Sequence, residues 1–414
     1  MSGKLRNDCF ALPPGVDWTP LDEALDRLLS RLSVVAEEEV IAVQSSFHRV
    51  LAKPVIAARS HPAHRNAAVD GYAIAFAAED QTSFDLQPDM AAAGRPSERL
   101  LEPGQAVKIL TGAKVPDGAD AVVLQEESRV DGGQVHFEGM PKPGANIRDI
   151  GEDTEEGAVI LKAGTKMDEG ALAHAVSIGV AGVTCYLPLR VGVLSSGDEI
   201  VPPGETAADF QVFDANGAML RGLLARWGYE VIDLGHVQDD EAAVKAAFEH
   251  GVSQCDAILT SGGASAGSED YVSKVLGAYA DRHTWRIAIK PGRPLVLAQW
   301  GDVPIFGLPG NPIAAFVCSL LFARPALQKL QGRKISAPVG YELPAGFAKE
   351  KKPGRSEYPR ARITPQGTVE LFASEGSGRV SGLSWADGLV ALEHGGIEIK
   401  IGDPVRYIPF SSFD

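Results

Sequence analysis

A chain of 414 residues is too long for one ordinary hydrophobic core, and with 45% of its residues hydrophobic it can build several, so three or four domains are expected. The formal charge of −15 opposes nucleic acid or an anionic membrane as the main partner, and any anionic ligand must meet a local basic cluster. Cys9, Cys185, Cys255 and Cys318 lack zinc or disulfide spacing, the longest apolar run (313 to 323) falls short of a membrane span, and Asp8, Pro13 and Pro14 break any signal-peptide core; the expectation is a soluble cytoplasmic protein.

Leu21, Leu25, Leu28, Leu29 and Leu32 recur at helical spacing behind Thr19-Pro20, which predicts an amphipathic helix capped by Thr19 with proline at N1. A second helix is expected near 45–52. From 54 to 147 short apolar runs such as Val107-Lys-Ile-Leu110 and Ala121-Val-Val-Leu124 are punctuated by Pro103-Gly104, Pro116-Asp-Gly118 and Asp131-Gly-Gly133, which predicts a small β-rich domain with hairpins. Its polar points include Asp70 and Thr111. A helix over 168–178 then returns the chain, so 1–53 and 148–187 form a discontinuous helical linking domain. Pro62 argues against a helical metal pair at His61 and His64.

Within 188–333 strand and helix patterns alternate, the signature of a mostly parallel, doubly wound sheet. The run Val191-Gly-Val-Leu194 ends in Ser195-Ser-Gly-Asp198-Glu199, and the next helix carries Met219, Leu220, Leu223, Leu224 and Trp227 before Gly228. Strand 230–234 leads to Asp239-Asp240 at a helix start. The buried-type run Ala257-Ile-Leu259 leads into Ser261-Gly262-Gly263-Ala-Ser265, then to Ser268 as expected N-cap, with Glu269 and Asp270 in the first turn of a helix to about 279.

Acidic pairs thus follow three successive strands, where ligands of such sheets bind. Helix capping explains each pair singly, and an ordinary turn explains the glycine loop. Together they suit Mg²⁺ held between carboxylates and a phosphate, because a bare phosphate would be repelled.

Lys290 and Arg293 flank a proline-rigid turn and supply local positive charge, or form a solvated pair. Asn311 and Pro312 in Leu308-Pro309-Gly-Asn-Pro312 read as N-cap and N1 of a helix to about 330. Alternation beyond 334 predicts a compact β domain to 414. It opens with a basic run from Lys351 to Arg362, a pattern that usually marks a solvated face.

In order and spacing these stretches resemble the MoeA family of molybdopterin molybdenumtransferases, which includes the E domain of gephyrin. The likeness rests on Val69-Asp-Gly-Tyr-Ala73, Leu110-Thr-Gly-Ala113, Asn146-Ile-Arg148, Ser196-Gly-Asp-Glu199, Asp239-Asp240, Ser261 to Gly267 with Asp270-Tyr271, Lys290-Pro-Gly-Arg-Pro294, Gly307 to Pro312, Gly354-Arg355 and Gly376-Ser377. It implies a multidomain α/β protein: a doubly wound MogA-like domain at 188–333 that binds molybdopterin, two β-rich domains and a small α-containing linking domain. It further implies an elongated homodimer in which that domain faces the partner's β domain across a cleft.

The implied reaction inserts molybdate into adenylyl-molybdopterin, with Mg²⁺-dependent cleavage of the adenylate and release of AMP. The resemblance assigns catalysis to Asp70, Thr111, Glu199, Asp239 and Asp270, the first two reaching from the partner subunit, and Mg²⁺ to Glu199, Asp239 and Asp270. It assigns the pterin substrate to Ser196, Gly197, Asp198, Ser261, Gly262, Gly263, Ser265, Lys290, Arg293, Pro309, Asn311 and Pro312, and molybdate to Arg355, Ser377 and Arg148. A MogA-type adenylyltransferase and a molybdoenzyme or its chaperone are the implied partners. Where the family usually has methionine this chain has Val69, for lysine it has Arg286 and Arg293, for serine or threonine Ala215, and for glutamine Glu375. The alternative is a non-catalytic carrier of the finished cofactor.

Overall fold

The computed structural model describes residues 19–78, 81–139, 141–262, 270–292, 294–374, 376 and 378–414, with backbone alone at 283–286 and 294. They form two units, one of residues 40–47 and 53–185, the other of the remainder.

The first unit is built on a six-stranded sheet in which Gly71–Ile74 lies between Gln105–Ile109 and Ala121–Leu124, antiparallel to both. All four residues of that central strand are buried. Ala73, Val107, Ile109 and Val122 pack on one face and Tyr72, Ile74, Phe84 and Phe137 on the other, so the strands read as apolar runs without alternation. Gly71 is required by contact: a Cβ there would stand 1.8 Å from the Val123 carbonyl oxygen. The register Gly71↔Ile109 sets Asp70, just before one strand, beside Thr111, just after the other.

The expected 168–178 helix is present as Glu169–Ser177, capped by Asp168. The helix expected near 45–52 is absent. Val43–Ser45 forms one 3-10 turn, His48 adopts φ 65°, which no α-helix accepts, and Val50–Leu51 is a short strand.

The second unit begins with helix Leu21–Leu29, which buries Ala24 and Leu28 against Leu327 and Leu330. Its N-cap is Pro20 without a side-chain cap bond, not Thr19. Thr19 instead accepts the Ala288 N–H at 3.0 Å in a strand-like bridge, and the helix stops short of Leu32.

The α/β core follows as β1 (Arg190–Ser196), α1 (Ala215–Trp227), β2 (Glu230–Val237), α2 (Glu241–Gln254), β3 (Ala257–Ser261), α3 (Tyr271–Tyr279), β4 (Asp281–Arg286), β5 (Pro294–Trp300) and β6 (Val303–Leu308). The strand order is β2-β1-β3-β6-β5-β4, parallel through β6 and antiparallel beyond. Val191, Val193 and Leu259 pack on Leu220, Leu224 and Phe316 on one face, while Leu194 and Ile258 meet Val244, Phe248 and Leu276 on the other. From β1 the chain goes to one side and then crosses to β3 on the other. The switch point therefore lies between the ends of β1 and β3, where open α/β sheets bind ligands.

The helical stretch Pro312–Leu330 is long and apolar enough to cross a membrane, yet 89% of its most apolar window is buried in the unit; it is a core helix. Pro325 supplies no N–H to the preceding turn, and a π-turn at Ser319–Ala323 absorbs the break. The chain ends in a five-stranded antiparallel sheet around Ala361, Val390, Val405 and Tyr407. Ile289–Lys290 pairs in parallel with Ser356–Glu357 and ties that sheet to the α/β core.

Candidate active site

At the switch point two loops close on each other. Gly197 follows β1 with φ 141°, and a Cβ there would lie 2.4 Å from Glu199 Oε2, so the Glu199 carboxylate folds over it. Gly262 follows β3 with φ 93°, a left-handed conformation that suits glycine, and a Cβ there would meet the Ser196 oxygen at 3.1 Å. His236 Nε2 lies 2.7 Å from the Gly197 carbonyl oxygen.

Beyond β2 the Asp239 N–H donates to Asp198 Oδ1 at 3.0 Å, while Asp240 caps α2 through the Ala243 N–H. Capping therefore explains Asp240 and leaves Asp239 to the acidic group. Burial pushes the Asp239 carboxyl up from its ordinary value, and the charges of Asp198, Glu199 and Asp270 push the same way. Asp270 is the N-cap of α3, one position outside the first turn expected for it: Oδ1 accepts the Ser273 N–H at 2.8 Å. Its Oδ2 is buried with no hydrogen-bond partner among the described residues.

A buried polar group that the sequence reading missed lies beneath this edge. Asp214 caps α1 through the Gly217 N–H and accepts from Ser195 Oγ at 2.8 Å. Asn216 Nδ2 donates to Ser261 Oγ and to the Gly310 oxygen, both at 2.7 Å, and its Oδ1 is buried without a partner, as is Thr260 Oγ1. Buried polar atoms are nearly always satisfied, and among the described residues Thr260, Asn216 and Asp270 each leave one without a partner at this edge. The available signal was Asp214, a capping residue just ahead of an apolar helix. Asn311 caps the 312–330 helix through the Ile313 and Ala314 N–H groups, with buried Pro309 before it and Pro312 at N1.

The basic residues gather in the same unit. Lys290 Nζ lies 3.5 Å from Glu357 Oε1 and Lys349 Nζ 3.4 Å from its Oε2. Lys351 and Arg355 are buried, and Lys351 donates to the Gly395 oxygen at 2.7 Å. Burial holds the Lys351 ammonium below its usual pKa; Lys349, Arg355 and Lys290 press in the same direction and Glu357 opposes them. The basic run is thus in part interior, contrary to a solvated face, because its strands fold it into the joint with the α/β core. Lys290, Pro291, Ile313, Glu357, Tyr358, Arg360 and Ser374 line a cavity of about 50 Å³.

In the other unit Thr111 donates to Asp70 Oδ1 twice, from its N–H at 2.7 Å and its Oγ1 at 2.6 Å. The hydroxyl first and the N–H second hold the exposed Asp70 carboxyl below its ordinary range, with help from Lys108. Arg148 is exposed on a short strand opposite Asn66, and Ala67 beside it accepts the Gly112 N–H at 2.8 Å, so the strand bearing Arg148 joins the Thr111 loop through Ala67. Gly263, Ser265, Ser268, Glu269, Arg293, Glu375 and Ser377 lie outside the described residues.

A doubly wound sheet with carboxylates and orphaned polar atoms at its switch point, beside a buried cation cluster, defines a multidomain protein for an anionic, polar ligand. Residues 19–179 match the MoeA N-terminal region (domains I and II), 192–329 the probable molybdopterin binding domain and 342–410 the MoeA C-terminal region (domain IV). The chain is 34% identical over 397 residues to the molybdopterin molybdenumtransferase of Haemophilus influenzae, covering 94% of this chain and 98% of that one. It is 31% identical to that of a Nostoc species over 80% of each. The crystal structure of the molybdopterin biosynthesis moeA protein from Pyrococcus horikoshii OT3 matches with a TM-score of 0.80 at 26% identity, over 95% of this chain and 100% of that one. The chain belongs to the MoeA family.

Proposed function

We propose that this chain is a molybdopterin molybdenumtransferase, an enzyme of molybdenum cofactor biosynthesis that inserts molybdate into adenylyl-molybdopterin, cleaves the adenylate and releases AMP. The observation that carries this reading is the junction of two groups of opposite charge in one unit. Gly310 meets Asn216 at the acidic switch point, and Ile313, three residues on, lines the cavity of Lys290 and Arg360. A phosphoanhydride with a pterin suits the first group and a tetrahedral oxyanion the second.

Mg²⁺ fits the acidic group on two counts: the unpartnered Asp270 Oδ2 and the crowded charge around Asp239. Among the described residues no three acidic, histidine or cysteine side chains already form a metal cage. Mg²⁺ does not need one, since it keeps waters and binds through one or two carboxylates and substrate phosphates. One or two of Glu199, Asp239 and Asp270 would hold it, and when bound it supplies charge neutralisation at the phosphates.

On this reading Ser196, Gly197, Asp198, Ser261, Gly262, Pro309, Asn311 and Pro312 orient the pterin nucleotide, and Lys290, Arg355 and Arg148 draw molybdate. Asp70, held by Thr111, adds a charged catalytic group to the cleft of the partner subunit. On the same reading the chain works as a cytoplasmic homodimer that takes its substrate from a MogA-type adenylyltransferase and passes its product to a molybdoenzyme or its chaperone.

Purified protein given adenylyl-molybdopterin and Mg²⁺ should release AMP only when molybdate is added. Tight binding without AMP release at any molybdate concentration would replace the enzyme with a carrier.

A further inference from the structure

The cation that lines the cavity with Lys290 is Arg360, at the start of strand Arg360–Ile363, and it is 4% exposed. No carboxylate pairs with it among the described residues. Its guanidinium donates instead to three main-chain oxygens of one loop: Nη1 to Arg379 at 2.7 Å, and Nη2 to Ser374 at 2.8 Å and Gly376 at 3.1 Å. The Phe372 ring lies 4.7 Å from its central carbon. A Cβ on Gly382 would come 2.3 Å from Nη1, so the approach of helix Ser381–Trp385 depends on glycine.

Burying a guanidinium without a counter-ion is costly, and three carbonyl dipoles offset that cost only in part. The arrangement does two things at once. One rigid fork ties the Ser374, Gly376 and Arg379 carbonyls together beside the cavity wall, where Ser374 contributes. The same group puts a positive charge that no carboxylate pairs with, among the described residues, on a cavity lining it shares with Lys290, whose own partner is Glu357. A neutral ligand gains nothing from that charge, whereas an oxyanion in the cavity supplies the missing counter-charge.

We propose that Arg360 is a positioning residue for the oxyanion substrate: it fixes the Ser374, Gly376 and Arg379 carbonyls relative to one another and makes the adjoining cavity selective for anions. This rests on the molybdenumtransferase reading, and the test separates the two. Lysine keeps the charge but cannot bridge three carbonyls, and methionine keeps the apolar stem but loses the charge.

Molybdate binding to the protein alone is measured by calorimetry, and molybdate-dependent AMP release by steady-state kinetics, on wild type, Arg360→Lys and Arg360→Met. Loosening the loop in Arg360→Lys should weaken molybdate binding and raise the molybdate KM about tenfold, with kcat changed less than about twofold. Arg360→Met should lose binding further. Thermal melting guards against misfolding; should Arg360→Met fail to fold, Arg360→Lys still decides. Unchanged molybdate affinity and KM in Arg360→Lys, or a fall in kcat alone, overturns the assignment, as does a wild type that binds no molybdate. Molybdate binding without AMP release overturns the enzyme reading and leaves the Arg360 comparison to the calorimetry.

Discussion

Lys290 stands 3.5 Å from Glu357 on two short strands that pair in parallel as a small sheet of their own, one from the α/β stretch of the sequence and the other from the C-terminal stretch. Both side chains are mostly buried, Lys349 reaches the same carboxylate, and Lys351 feels its charge together with those of Lys349, Arg355 and Lys290. Glu357 is thus the internal counter-ion of a group with excess positive charge, and it occupies the attraction that an incoming oxyanion would use.

Glu357→Gln should therefore destabilise the second unit by about 2–3 kcal/mol, because the cations lose their partner in a partly dehydrated place. Added molybdate or sulfate should recover more of the melting temperature in this variant than in wild type, since the anion takes over the lost charge. Equal shifts in both proteins would mean that anions bind away from this cluster.

A second prediction concerns Asp70 and Thr111. A carboxylate held below its ordinary value of 3.8 contributes stability that is fully present above that value and is lost as pH falls through the lowered one. Thr111→Val removes the larger of the two bonds and keeps the N–H. The Asp70 pKa should rise toward 3.8, and the stability gap between the proteins should close in acid. NMR titration of the Asp70 carboxyl carbon reads this directly, and an unmoved pKa would show that the main-chain bond alone sets it.

The two loops of that pair show what the sequence could carry. Asp70 and Thr111 were each visible as polar points near apolar runs, but the strand register that joins residues 41 apart in sequence is a tertiary fact. The doubly wound sheet was legible because strands buried on both faces read as unbroken apolar runs and helix caps punctuate them. Capping also misled: it gave Asp270 a place inside a first turn, when this residue is the cap with one oxygen left over. Thr19 was read as a cap because Thr-Pro is a common helix opening, and a bridge to Ile287 took its backbone instead. The basic run reads as solvated because charge alone does not report pairing between strands distant in sequence, such as Lys351 with Ile397 and Arg360 with Leu389, where both basic residues are buried.

Asn216 gives a third prediction. Its amide joins Ser261 at the end of β3 to Gly310 before the core helix, so truncation strips both acceptors of their donor. Asn216→Ala should cost about 1–3 kcal/mol in denaturant unfolding. Adenylyl-molybdopterin should also bind more weakly, because the loops lose their tie at the switch point. A loss under about 0.5 kcal/mol with unchanged ligand affinity would show that water replaces the amide there.

The last prediction separates charge from shape at the acidic edge. Glu199 folds over Gly197, whose φ of 141° favours glycine, and it acts on Asp239 as a negative charge. Glu199→Gln keeps that packing and removes the charge. If Glu199 serves to hold Mg²⁺ at the substrate phosphates, the variant should bind adenylyl-molybdopterin about as tightly as wild type, need more Mg²⁺ for half-maximal rate, and release AMP at least about 100-fold more slowly. With one less charge among the carboxylates, the remaining acids should also ionise more easily, so any residual rate should persist to lower pH. A purely structural role would lower ligand affinity and melting temperature together and leave the Mg²⁺ requirement where it was. Kinetics at varied Mg²⁺, set beside ligand binding on the same preparation, distinguishes the two, and wild-type turnover in the variant would remove Glu199 from the chemistry.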